Sequence, residues 1–129
     1  MKANHGTKFP AGFHKSLELF NLHRTIAGEN RRRRVVVVEG FFDCLRVSAA
    51  GFPCVALMGS AMSPAHEELL VRHFKVVCVM LDGDQAGQEA AKDCLSRLGR
   101  RLWVWAPTLP EAKQPDMLST EEIQAFLKR

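Results

Sequence analysis

Two acidic points in this sequence stand directly after apolar runs: Glu39 follows Val35-Val36-Val37-Val38, and Asp82-Gly83-Asp84 follows Val76 to Leu81. Asp43 comes four residues after Glu39. Carboxylates held within a few ångströms of one another repel, so without a compensating cation some would stay protonated. An oxygen-only donor set, with no thiolate or histidine pair beside it, favours a hard cation that keeps waters and binds phosphate. That means Mg²⁺ or Mn²⁺ rather than zinc. Phosphoryl or nucleotidyl transfer is the reaction class such a centre serves.

These residues must be brought together by the elements that carry them. Val35 to Val38 is apolar on both faces, as in a parallel strand covered on each side by helices. Phe41 to Ala50 reads as a helix closed by Gly51, and Cys54 to Leu57 as a second strand before the Gly59-Ser60 turn. Ser63-Pro64 marks a helix start, with the helix running to about His73. Val76 to Leu81 is a third strand, Gln85 to Leu98 a helix, and Leu102 to Trp105 a fourth strand. Ahead of them Leu17, Leu19, Phe20, Leu22 and Ile26 suggest a first helix from Ser16, stopped by Gly28 and Asn30. A last helix starts near Ser119, whose pairing with Glu122 has capping-box spacing. The alternation predicts an α/β fold with an open, mostly parallel sheet of about four strands flanked by helices. Residues 1–12 read as an irregular lead-in and 13–129 as a single domain.

In such sheets ligands bind beyond the carboxyl ends of the strands. If the first and third strands are neighbours, Glu39, Asp82 and Asp84 meet in one crevice. An isolated Asp-Gly-Asp reads first as a turn whose aspartates cap a helix; two acidic strand ends in one chain shift that reading toward a shared site. A calcium loop of EF-hand type fails, since Ala86 stands where a third oxygen ligand belongs.

At these positions the sequence resembles the Toprim family, in particular the catalytic core of bacterial primases. Val38-Glu39-Gly40-Phe41-Phe42-Asp43 resembles the Glu-Gly signature of that family, and Leu81 to Gly87 with Ala90-Ala91 resembles its Asp-x-Asp signature. Ala56 to Ser63 looks like the loop after the second strand, and Phe13-His14-Lys15-Ser16 like the segment leading into the domain. The resemblance implies a Toprim, Rossmann-like fold and Mg²⁺-dependent nucleotidyl transfer. Glu39 would be the acid/base and metal-coordinating residue, Asp82 and Asp84 metal ligands, and Asp43 a supporting carboxylate. Lys15 would touch nucleotide phosphates, and Gly40 and Gly83 would let backbone approach phosphate. Pro115-Asp116 is similar to an Asp-Pro-Asp element whose first position is here Gln114, which leaves Asp116 as its remaining carboxylate. Nucleoside triphosphates and single-stranded nucleic acid are the implied partners, together with a replication protein.

Two other readings stay open. One is a Toprim nuclease using the same carboxylates to activate water. The other is a module that binds nucleotide, nucleic acid or a replication partner without turnover, as Gln114 suggests. Replicative primases also carry a zinc-binding domain and a basic template-holding subdomain that have no counterpart in these 129 residues. The expectation is a stand-alone or excised domain. A haloacid-dehalogenase phosphatase also opens on Asp-x-Asp, but it needs Thr or Val where Gln85 stands. The chain has no tyrosine, so a topoisomerase nucleophile is not encoded.

The rest of the sequence is less directive. No Cys-x-x-Cys pair occurs among Cys44, Cys54, Cys78 and Cys94, which read as reduced, mostly buried thiols. A formal net charge of +4 is compatible with a polyanionic partner. Arg31 to Arg34 and Arg100-Arg101 precede strands, at the edge opposite the carboxylates, and read as a solvated basic patch. His5, His14, His23, His66 and His73 lack paired metal spacing and read as surface or partly packed. Trp103 and Trp105 alternate onto one face and are expected to pack against a helix. No segment approaches the roughly 18 apolar residues of a membrane span, and a cytoplasmic protein is expected.

Overall fold

The computed structural model describes residues 12–28, 30–110 and 113–128. The lead-in read at residues 1–12, like His5, lies outside them save for Gly12. The order is α1 (Leu22–Ala27), β1 (Arg34–Val38), α2 (Phe41–Ala49), β2 (Cys54–Ala56), α3 (Pro64–His73), β3 (Val76–Val79), α4 (Gln85–Leu98), β4 (Trp103–Trp105), a 3-10 turn (Pro115–Met117) and α5 (Thr120–Leu127). Four strands form one sheet in the order β2-β1-β3-β4, and every pairing between them is parallel.

Successive side chains of a strand point to opposite faces, which sorts the valines of β1 into two cores. Val36 and Val38 pack with Cys44 and Val47 of α2 and Ile123 and Leu127 of α5. Val35 and Val37 pack with Leu70 of α3 and Cys94 and Leu98 of α4. All four cysteines are free and buried within these layers, where the sequence predicts reduced, mostly buried thiols. Among the described residues no helix is long and apolar enough to cross a membrane.

Three readings of the sequence are corrected. The first helix begins at Leu22 rather than Ser16. Residues 15–17 form a turn instead, and Phe20 makes an antiparallel bridge with Ala56 on the outer edge of β2. Asn21 then enters the helix with φ 71°, a left-handed conformation that Asn tolerates, while its side-chain amide donates to the Cys54 carbonyl at 3.0 Å. Second, Trp103 is 72% exposed. The two tryptophans do share a face, but they border a groove of about 470 Å³ with Arg34, Phe52 and Leu127. Third, His66 is fully buried, 2% exposed, rather than at the surface or only partly packed.

Candidate active site

The crossover from β1 to β2 runs toward one side of the sheet, whereas β3 lies on the other side of β1. The strand order therefore reverses between β1 and β3, and a crevice opens there at the carboxyl ends of the strands. The adjacency that the sequence left open is fixed by register, with Val36 opposite Cys78 and Val37 opposite Val79. The Met80 N–H continues the ladder by donating to the Val37 carbonyl at 2.8 Å. Glu39 and Asp82 thus leave neighbouring strands at the same edge. The Glu39 carbonyl accepts from the Met58 N–H at 2.8 Å, which draws the β2–α3 loop to the end of β1. Met58 pays for that turn with φ 60°, sparsely populated for a residue with a Cβ.

Asp43 lies in the first turn of α2. Its Oδ1 accepts from the Asp116 N–H at 2.9 Å and its Oδ2 from the Gly40 N–H at 3.3 Å. Burial pushes its pKa up from 3.8 to about 7, and the charges of Asp82 and Asp116 push the same way, against the two backbone hydrogen bonds. Asp82 is itself only 6% exposed. Oδ1 of Asp116 is buried without a hydrogen-bond partner among the described residues. Asp43, Asp82 and Asp116 consequently share one electrostatic environment.

Asp84 occupies a different position. It is exposed and caps α4, its Oδ1 accepting from the Gly87 N–H at 2.7 Å. Gly87 is needed there because a Cβ would collide with the Asp82 carbonyl, so the first turn of α4 is packed directly on the backbone of Asp82. Gly83 is buried as well. Its N–H donates to the Lys113 carbonyl at 2.7 Å, and a Cβ would run into the Pro110 carbonyl. The close approach that Gly83 permits is taken by the backbone of this chain's own Leu109, Pro110 and Lys113. Gly40 is half-buried at the N-cap of α2, where an added Cβ would lie 3.5 Å from Oδ2 of Asp43, in ordinary contact.

Lys15 is exposed on the turn ahead of α1. Its carbonyl lies 2.6 Å from Nε2 of His66, in the first turn of α3. The start of α3 follows β2, so Lys15 is held at the carboxyl edge of the sheet along with the carboxylates. Arg34, Lys75 and Arg101 lie at the amino ends of β1, β3 and β4, the opposite edge. His66 escapes detection in the sequence because its partners lie 48 and 51 positions away. Only the Ser63-Pro64-Ala65-His66 spacing hints at a local role in capping.

Among the described residues no three His, Cys, Asp or Glu side chains already stand as a metal-holding group. The donor set nevertheless suits a hydrated hard cation, which typically takes one or two carboxylates and completes its shell with water and substrate phosphate. The Asp116 oxygen without a partner and the raised Asp43 carboxyl are what such a cation would relieve.

A model of Toprim-like domains matches residues 36–119, and the chain belongs to that family. Its similarity within the family is to the catalytic core of bacterial primases. It is 35% identical to a DNA primase of Legionella pneumophila over 115 residues, which cover 85% of this chain and 20% of the relative. It is 36% identical to a DNA primase of Pseudomonas putida over 125 residues, 91% of this chain and 19% of the relative. The chain thus spans about a fifth of the length of these relatives. Among solved structures it superposes on the Aquifex aeolicus primase (zinc-binding and RNA polymerase domains) with a TM-score of 0.77 at 29% identity, covering 93% of this chain and 31% of that one. A DnaG primase catalytic domain bound to single-stranded DNA gives 0.74 at 30% identity, covering 88% and 38%.

Proposed function

We propose that this domain performs metal-dependent nucleotidyl transfer of primase type, adding nucleoside triphosphates along a single-stranded nucleic-acid template. The observation that carries the proposal is the emergence of Glu39 and Asp82 from adjacent parallel strands at the point where strand order reverses. The similarity to primase catalytic cores, one of them bound to single-stranded DNA, supports the choice of reaction.

In this reading Asp82 and Asp84 hold the cation, and Glu39 coordinates it and serves as acid/base. Asp43 and Asp116 lie behind them as supporting carboxylates. Mg²⁺ or Mn²⁺ bound there would neutralise triphosphate charge and polarise the phosphoryl group under attack. Lys15 reaches the triphosphate from the rim, Gly40 leaves room beside Glu39, and Gly83 fixes the path of the loop that carries Asp82 and Asp84.

Calorimetric titration of Mg²⁺ or Mn²⁺, with and without nucleoside triphosphate, tests this against an Asp82→Ala/Asp84→Ala variant. Binding lost in the variant, followed by primer synthesis on single-stranded template, is the expected result. Cleavage of plasmid in Mg²⁺ instead would make the domain a nuclease. Nucleotide binding with no turnover would favour a recruitment module for nucleotide, nucleic acid or a replication partner, a reading to which Gln114 gives independent weight. No metal binding at millimolar concentration, even with nucleotide, would refute the proposal.

A further inference from the structure

His66 is the N3 residue of α3, where a capping box needs only a side-chain acceptor for the N-cap N–H. Nδ1 fills that need, accepting from the Ser63 N–H at 3.1 Å. A neutral ring that accepts at Nδ1 carries its proton on Nε2. That second nitrogen plays no part in capping. It is directed at the carbonyls of Lys15, 2.6 Å away, and Glu18, 3.0 Å away. Ser63 acts in parallel: its Oγ accepts from the His66 N–H at 3.0 Å and donates to the Ser16 carbonyl at 2.6 Å. Three carbonyls of residues 15–18, in and just after the turn, are therefore held by two side chains at one helix start.

The helix start is itself braced. Arg97 of α4 donates to the Met62 carbonyl at 2.6 Å and to Oε1 of Glu67 at 2.9 Å. Since α4 begins at the Asp84 cap, an unbroken path of hydrogen-bonded elements joins Asp84 through α4 and α3 to the backbone of Lys15. A lysine side chain is long and rotatable, so where its ammonium can reach depends on where its backbone is pinned.

We propose that His66 is a positioning residue that fixes Lys15 at the rim of the carboxylate edge for contact with the triphosphate of a bound nucleotide. This inference rests on the reading of Lys15 given above and adds the residue through which Lys15 acts. Burying an imidazole is costly unless both nitrogens are bonded, and here both are. Gln at position 66 would keep the capping acceptor without the ring's reach to Lys15.

The test is a double-variant cycle read as affinity for ATP in millimolar Mg²⁺, with folding checked by denaturant unfolding. Lys15→Ala is expected to weaken binding about tenfold, as loss of a charge-assisted contact does. His66→Gln is expected to weaken it about fivefold, and the double variant is expected to bind no worse than Lys15→Ala. Additive losses would show that His66 acts independently of Lys15, and unchanged affinity in His66→Gln would show that it does not act on the site; either overturns the inference. If Lys15→Ala leaves affinity unchanged, the reading of Lys15 fails and the inference falls with it. Should His66→Gln fail to fold, Ser63→Ala, which releases the Ser16 carbonyl, is read in the same cycle with a smaller coupled loss.

Discussion

The backbone N–H of Asp116 donates to Oδ1 of Asp43 across 73 positions of sequence. This bond attaches the Gln114-Pro115-Asp116 turn to the first turn of α2, so Asp116 reaches the carboxylate edge without belonging to the sheet. It also keeps a buried carboxyl where two other acids raise its proton affinity.

The stability of the metal-free domain should therefore depend on pH through Asp43. Its folded-state pKa of about 7 lies above the ordinary 3.8, so the folded state binds this proton more tightly than the unfolded chain. The contribution is complete below 3.8 and is lost as pH rises through 7. Between those values unfolding free energy should fall by up to about 1.4 kcal/mol per pH unit from this group. Denaturant unfolding in chelator should show the slope, and Asp43→Asn should flatten it. Equal slopes in the two proteins would refute the assignment.

Asp84 has two roles that substitutions can separate. Asp84→Ala removes the α4 cap and should cost about 1 kcal/mol of stability, whereas Asp84→Asn, which keeps an acceptor, should cost only a few tenths. Both variants remove the charge and should weaken Mg²⁺ binding alike. Metal affinity that tracked stability, low in one variant and normal in the other, would leave Asp84 a cap alone.

Gly87 and Gly59 make a matched pair. A Cβ on Gly87 meets the Asp82 carbonyl, whereas one on Gly59 meets nothing within 4 Å. Gly87→Ala is expected to lose about 1–3 kcal/mol, as overpacking does, and to weaken metal binding by displacing Asp82. Gly59→Ala should stay within about 0.5 kcal/mol of the natural chain. Thermal unfolding of the two variants side by side is sufficient to decide this.

Arg97→Leu should cost about 1–3 kcal/mol, because the Met62 carbonyl and Glu67 lose a half-buried donor. Arg101, bonded to Glu67 and Glu68 at the exposed end of the same helix pair, should matter less and lose its effect in high salt. Comparable losses for Arg97→Leu and Arg101→Leu in 1 M salt would contradict the assignment of the brace to Arg97.

Strand positions and acidic strand ends were legible in the sequence because apolar runs followed by carboxylates are local patterns. The neighbouring of β1 and β3 was a hypothesis there, and pairing register establishes it. Periodicity carries the first helix back to Ser16 because Leu17, Leu19 and Phe20 fit helical and extended spacing about equally. Leu19 in fact enters one core and Phe20 packs against the other, as extended residues do. His66 and the Asp43–Asp116 bond depend on contacts across tens of residues, for which no local periodicity exists. For Trp103 alternation predicts the face, but how far a helix covers that face is a matter of packing between distant segments.

Trp103 and Trp105 are the chain's only two tryptophans, and the sequence contains no tyrosine. Its ultraviolet emission on excitation at the red edge of protein absorbance therefore comes entirely from β4. One of the two indoles is open to solvent and the other half-covered, so a soluble quencher should extinguish the emission in two stages, Trp103 before Trp105. Because β4 is at the margin of the sheet, separated from β1 by β3, this light registers opening of that margin and is a poor reporter of events between Glu39 and Asp82.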